Sequence, residues 1–260
     1  MSAPGGPPQG PVRSLPLQET VRETYASVLG NLPAWLRLAL LPALLLFGIW
    51  ELALSGLAEE GALEAEKVTA ILLPLTLLSL APVSLFAYSW LRFMLLGPQE
   101  AGGFLPRDPA QALRFFVTLL QYALFLLGFL FLAVFALSAL LNLGGANVFQ
   151  ILLFLQLPLA LASLWFLLRL GLALAARAVG ERYSFKNAWT QTRGQSGRLI
   201  LAGLATLLPV QMVAQGIALV LPQNLPSLIF LSLLTFLPFA FFFSLVALVF
   251  KKISGWVPPS

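Results

Sequence analysis

The sequence predicts an all-α membrane protein: six transmembrane helices in three hairpin units, each unit preceded by an amphipathic helix at the membrane interface. Three observations lead there. Hydrophobic residues make up 59% of the 260 positions and charged residues 10%, against roughly 45–50% and about 25% in soluble domains. Six apolar runs each reach or exceed the roughly 20 residues that cross a hydrocarbon layer about 30 Å thick. Fourteen of the fifteen Lys and Arg residues fall in alternate connections, so they collect on one side of such a bundle.

In chain order, Met1–Arg13 holds Pro4, Gly5, Gly6, Pro7, Pro8, Gly10 and Pro11 and reads as a disordered tail. From Ser14 an amphipathic helix is expected, with Leu17, Val21, Tyr25, Val28, Leu29 and Leu32 on one face and Gln18, Glu19, Arg22, Glu23 and Ser27 on the other. Thr20 and Glu23 have capping-box spacing within it, and Ser14 before Pro16 offers an earlier start. Gly30, Asn31 and Pro33 end it.

The six spans are placed at Ala34–Leu54, Val68–Leu96, Ala112–Leu141, Val148–Ala176, Leu199–Leu221 and Ser227–Phe250. The first, Arg37 then Leu38–Ile49 with a small-residue exit, has the outline of a signal peptide. It begins deep in the chain behind an amphipathic helix, and so reads as a span. Pro42, Pro74, Pro82, Pro158, Pro209 and Pro238 punctuate every span but the third and are expected to kink them; broken helices lining a transport path are the other reading.

Arg13, Arg22 and Arg37, then Arg92, Arg107 and Arg114, then Arg169, Arg177, Arg182, Lys186, Arg193 and Arg198, and finally Lys251 and Lys252 mark the cytoplasmic side. The opposite side has Lys67 among Glu51, Glu59, Glu60, Glu64 and Glu66, and two uncharged turns. Both ends of the chain are thereby placed in the cytoplasm. The acidic turn reads as solvated, with a hard-cation site as its alternative.

A weak internal repeat accompanies the layout, near 14–100, 101–180 and 181–255, with 256–260 as a short tail. Thr20-Val21-Arg22-Glu23-Thr24-Tyr25 and Gly30 align without a gap with Ser184-Phe185-Lys186-Asn187-Ala188-Trp189 and Gly194. A third copy starts at Asp108-Pro109, where Asp108 suits an N-cap and Pro109 the first helical position. It lacks a glycine exit, so that helix is expected to run straight into the third span.

Ser89-Trp90-Leu91-Arg92-Phe93-Met94-Leu95-Leu96-Gly97, and Leu168-Arg169-Leu170-Gly171-Leu172-Ala173-Leu174 continuing through Ser184, Ala188-Trp189, Thr192-Arg193-Gly194 and Arg198-Leu199, carry a resemblance. The chain resembles uncharacterised bacterial six-span proteins, and is similar to the membrane domain attached to some glycerophosphodiester phosphodiesterases. The resemblance implies an architecture in the bacterial inner membrane. It implies no phosphodiesterase activity, because the soluble domain that carries that activity is not part of the match.

Chemistry is sparse. With no His and no Cys there is no imidazole base, thiolate or zinc site, and the single Asp, Asp108, precludes a buried aspartate pair. No catalytic, cofactor or metal residue is assigned. The Arg193–Arg198 turn lacks the lysine and spacing of a phosphate-binding loop. The lipid- or partner-facing candidates are Arg92 and Arg169, each just before the cytoplasmic end of a span where a guanidinium reaches phosphate, Trp189 of an aromatic belt, and Arg193, Gly194 and Arg198 in a turn whose amides face an anion. Anionic lipid headgroups are the expected ligand, or a protein partner, and nucleic acid is not. A permease or lipid transporter is the alternative. Its path would use Gln211 and Gln215, one helical turn apart, among the uncharged polar residues Gln121, Gln156, Ser84, Tyr88 and Ser163.

Overall fold

The computed structural model describes residues 15–59, 65–102, 105–142, 148–181, 183–222 and 224–258. The tail before Leu15, Glu60 and Glu64 of the acidic turn, the uncharged turn at 143–147 and Arg182 lie outside the described residues, as do the side chains of Glu59, Glu66, Lys67 and Gln156.

Nine helices and no strand occur among the described residues: α1 Leu17–Leu29, α2 Leu32–Glu59, α3 Ala65–Leu96, α4 Pro109–Asn142, α5 Val148–Ala178, α6 Phe185–Gln191, α7 Ser196–Val220, α8 Leu225–Leu234 and α9 Phe236–Ser254. Six stretches are long and apolar enough to cross a membrane, the sixth running through α8 and α9. They coincide with the six apolar runs, which makes the chain a multi-pass membrane protein.

Helix α9 is the centre. Its Phe236, Ala240, Phe241, Phe243, Ser244, Leu245, Val246, Ala247, Val249 and Phe250 are buried, on every side of the helix, as a helix that is apolar all round must be. Helices α2, α3, α4, α5 and α7 follow one another as touching neighbours, α2, α3, α5 and α7 also against α9, while α1 packs on α7 and α9 and α8 on α2 and α9. The outer helices α4 and α7 keep large apolar side chains exposed, among them Leu124, Phe131, Leu132, Met212 and Leu219. That is the surface a bilayer covers.

Glycine sets the closest approaches. A Cβ on Gly171 would stand 2.7 Å from Val246 Cγ2 of α9, and one on Gly203 of α7 would stand 2.7 Å from Leu168 Cδ1 of α5. Between α5 and α9 no space remains for a side chain at position 171. Small residues at helix contacts supply the dispersion energy that replaces the hydrophobic effect inside a membrane.

Local starts and stops follow from side-chain chemistry. Asp108 Oδ1 accepts the Gln111 amide at 2.9 Å with Pro109 as first helical residue, and α4 continues unbroken, as expected. Ser184 Oγ accepts from Asn187 N and caps α6. The expected cap at Thr20 is corrected: α1 begins at Leu17, and Thr20 lies inside it with its hydroxyl donating to the Pro16 carbonyl at 2.7 Å. Thr20, Thr24 and Val28 form the buried stripe of α1, which packs on α7 and α9, while Leu29 and Leu32 of the expected apolar face are exposed, Leu32 as the first residue of α2. Each threonine hydroxyl is satisfied by its own helix, so the methyl groups pack as small apolar surface.

Two prolines show how freed carbonyls find donors. Pro209 cannot donate to the Ala205 carbonyl one turn back, and the Tyr25 hydroxyl reaches that carbonyl at 3.3 Å and the Thr206 carbonyl at 3.0 Å. Pro98 likewise cannot supply an amide to the Met94 carbonyl at the end of α3, and Lys251 Nζ donates to it at 2.7 Å.

Candidate lipid- and partner-facing site

One end of the bundle is tied together by polar side chains from nearly every helix. Lys252 Nζ at the end of α9 pairs with Glu23 Oε2 at 2.8 Å and Glu19 Oε1 at 3.1 Å on α1. Gln195, ahead of α7, accepts the Leu15 amide with its side-chain oxygen at 3.1 Å. Gln111 at the start of α4 donates to the Arg177 and Ala178 carbonyls that end α5. The two ends of the described chain, the 92–114 connection and the 169–198 connection therefore share this end of the fold.

The C-terminus of α5 is closed by a paired turn, with Glu181 N donating to Ala176 O at 2.9 Å and Gly180 N to Arg177 O at 3.2 Å. This Schellman arrangement needs a left-handed residue, and Gly180 supplies φ +83°. A Cβ there would also meet Gln111 Nε2 at 3.1 Å.

Arg92 lies in this closure. Its Nε and Nη2 donate to the Glu100 carbonyl and carboxylate at 3.0 Å each, and its Nη1 donates to the Ala178 carbonyl at 3.2 Å. Arg169 is more enclosed, at 5% exposure. Its guanidinium carbon lies 4.0 Å from the Trp189 ring centre and 5.1 Å from that of Trp165. Nε donates to Thr192 Oγ1 at 2.7 Å and Nη2 to the Trp189 carbonyl at 3.0 Å. The Thr192 hydroxyl donates to the Ala188 carbonyl at 2.8 Å, so its oxygen is oriented to accept. Indole faces stand in here for the carboxylate a buried cation would otherwise require.

The two arginines are built alike. Each sits four residues after an aromatic on the same helix face, Tyr88 with Arg92 and Trp165 with Arg169, and each reaches forward to the segment that follows its helix. Both guanidinium groups thus organise protein backbone rather than standing free at the surface.

The remaining candidates face outward. Arg193 and Arg198 are exposed, as are Lys186, Arg177, Arg107 and Arg114. In the turn between α6 and α7, Gly194 has φ +81° and open space around it. The amides of Thr192, Arg193 and Gln195 already donate to the carbonyls of Ala188, Thr190 and Thr192, while the N-cap residue of α7, Gln195, makes no side-chain cap to its first turn. Trp189 is half in and half out, with one face on Arg169 and its edge toward Trp165, the ring centres 5.1 Å apart at 76°. Tyr183 donates to Gln191 Oε1 and sets its ring edge on Phe250; burial pushes its phenol above the ordinary range, and it remains a neutral donor.

Gln211 and Gln215 both lie on the exposed side of α7, beside Met212 and Val213. No group of three or more metal-ligating side chains occurs among the described residues. Glu100, Thr192, Gln195 and Lys251 carry much of the geometry and were not among the candidate site residues read from the sequence. The usable signal was Thr192, three residues past Trp189 where a helix end leaves carbonyls to satisfy. Comparison with protein-family models, curated proteins and solved structures finds no match for this chain.

Proposed function

We propose that this is a non-catalytic protein of a bacterial inner membrane, with both ends cytoplasmic, that organises anionic lipid or a protein partner at its cytoplasmic face. The architecture belonging to this reading is three units of an interfacial helix and a two-span hairpin. The paired Tyr88–Arg92 and Trp165–Arg169 constructions support the repeat. The observation that carries the reading is the division of labour among the cations. Arg92, Arg169, Lys251 and Lys252 knit one end of the bundle together, and that rigid end holds Lys186, Arg193 and Arg198 outward. Positive charge held at a membrane surface attracts anionic headgroups by about 1 kcal/mol per residue.

The test is lipid selectivity of the reconstituted protein, read from the immobilised fraction of spin-labelled phosphatidylglycerol against phosphatidylcholine. Arg193→Glu with Arg198→Glu reduces the preference for phosphatidylglycerol. An unaltered preference, together with unaltered capture of any identified partner, overturns the proposal. Topology has its own test: a tag beside Lys186 is accessible only from the cytoplasm. The permease alternative rests on Gln211 and Gln215 and is tested by replacing both with Leu, which abolishes flux if they line its path.

A further inference from the structure

A second feature of the same end is a cleft of about 510 Å³ between α4, α5 and α6, within the roughly 300–1,000 Å³ range of small-ligand sites. Its walls are Tyr122 and Phe125 of α4, Phe166 and Leu170 of α5, and Phe185 and Trp189 of α6. Phe125 and Phe166 stack at 5.0 Å and 6°, and the Tyr122 ring meets Phe185 edge-on at 4.7 Å. The Tyr122 hydroxyl donates to the Leu170 carbonyl, which takes the one phenol of the wall out of play. Only Lys186 and Gln121 bring polar groups to the lining, and both are exposed.

An aromatic slot of this kind offers a polar solute almost no hydrogen bonds. The lining holds no carboxylate, so a cationic ligand has no counter-charge. Phe125, Phe185 and Trp189 are among the large apolar side chains the protein leaves exposed, so the slot is open at its side. Its exposed ammonium is charge-complementary to a phosphate, and the apolar walls are complementary to a hydrocarbon chain. One class of molecule joins those two parts and is abundant beside an outer helix of a membrane bundle.

We infer that the cleft holds one acyl chain of an anionic phospholipid, with its phosphate against Lys186 and the Gln121 amide. The inference rests on the lipid reading above and narrows it from a charged face to a single site. It also ties occupancy to Trp189, whose ring covers Arg169 on its other side.

The experiment uses the full chain in phosphatidylcholine nanodiscs doped with bromoacyl lipid. The Trp189 contribution is the difference between the wild type and Trp189→Phe. Brominated phosphatidylglycerol is expected to quench that component at a lower mole fraction than brominated phosphatidylcholine. Lys186→Gln moves the midpoint about fivefold toward the phosphatidylcholine value, the worth of one lysine at an anionic surface. Equal quenching by the two lipids, or a midpoint indifferent to Lys186→Gln, overturns the site. If Trp189→Phe does not fold, a photo-crosslinking benzoylphenylalanine in place of Phe125 gives the same comparison by the mass of the captured lipid. Loss of spin-label selectivity in the Arg193→Glu, Arg198→Glu protein with Trp189 quenching indifferent to Lys186→Gln rejects the cleft and keeps the charged face. Retained spin-label selectivity with a Lys186-dependent midpoint does the reverse.

Discussion

Replacing Arg169 is the most direct test of the indole-caged guanidinium. Arg169→Ala removes the bonds to Thr192 Oγ1 and the Trp189 carbonyl, both cation–π contacts, and the volume of a side chain that is 5% exposed. Hydrogen bonds between membrane helices average roughly 0.6 kcal/mol, and those to charged groups in general about 1.5–3 kcal/mol. A desolvated cation–π contact contributes about 2 kcal/mol. Relief from burying the cation offsets part of that sum, leaving a net loss of about 2–4 kcal/mol. At roughly 2–4 °C per kcal/mol for a chain of this size, the melting temperature in detergent falls by about 4–16 °C. The loss has a location as well as a size. Helix α6 has seven residues and is anchored by Arg169, so trypsin cleaves at Lys186 sooner in the variant. Arg169→Lys keeps the charge but not the planar fork, and falls between the two. An Arg169→Ala protein with an unchanged melting temperature and unchanged cleavage at Lys186 would refute the account of this cage.

The other predictions concern the packing and its ties. Gly171→Leu forces α5 away from Val246 and costs about 1–3 kcal/mol or more, read by thermal unfolding; adding Val246→Ala recovers part of it, and strict additivity would deny the contact. Tyr25→Phe takes away the donor that replaces the missing Pro209 amide at the Ala205 carbonyl and lowers stability by roughly 0.6 kcal/mol, measured against wild type by detergent-induced unfolding. Gly180→Ala strains a left-handed turn and crowds Gln111, so proteolysis after Arg177 quickens. Glu19 is held below the ordinary carboxylate range, chiefly by the hydrogen bond from Lys252 and next by that with Glu23. Its folded value lies under its unfolded one, so its contribution is complete above the usual value of 4.5 and fades as pH falls through the folded value. Wild type and Glu19→Gln therefore differ at neutral pH and converge in acid, and added salt narrows the gap.

The spans were legible because a single segment that satisfies its own backbone across a bilayer must be a long apolar helix, and the boundaries at Asp108, Ser184 and Leu96 follow from caps and glycine. Which face of each helix turns inward was not. Thr20 and Thr24 look polar on paper, yet their hydroxyls are consumed by α1 itself, so they pack in a contact that periodicity did not assign to them. In a bilayer the lipid-facing and protein-facing sides are equally apolar, and hydropathy periodicity fades as a guide. The anchoring of Arg92 and Arg169 was hidden for a different reason. Their partners Ala178 and Thr192 are 86 and 23 residues away, and only the neighbour order of the helices brings them within reach. Trp90 is a third case: its indole N–H reaches Ser244 Oγ at 2.8 Å, a pairing between α3 and α9 that no spacing in either segment announces.

The central helix is also the last of the nine to leave the ribosome. Spans that pack on α9 complete those contacts only after Phe236–Ser254 has been made. The pairings of α2 with α3 and of α4 with α5 need nothing made later, whereas the seats of α1, α3, α5 and α7 on α9 close only once that helix is in place.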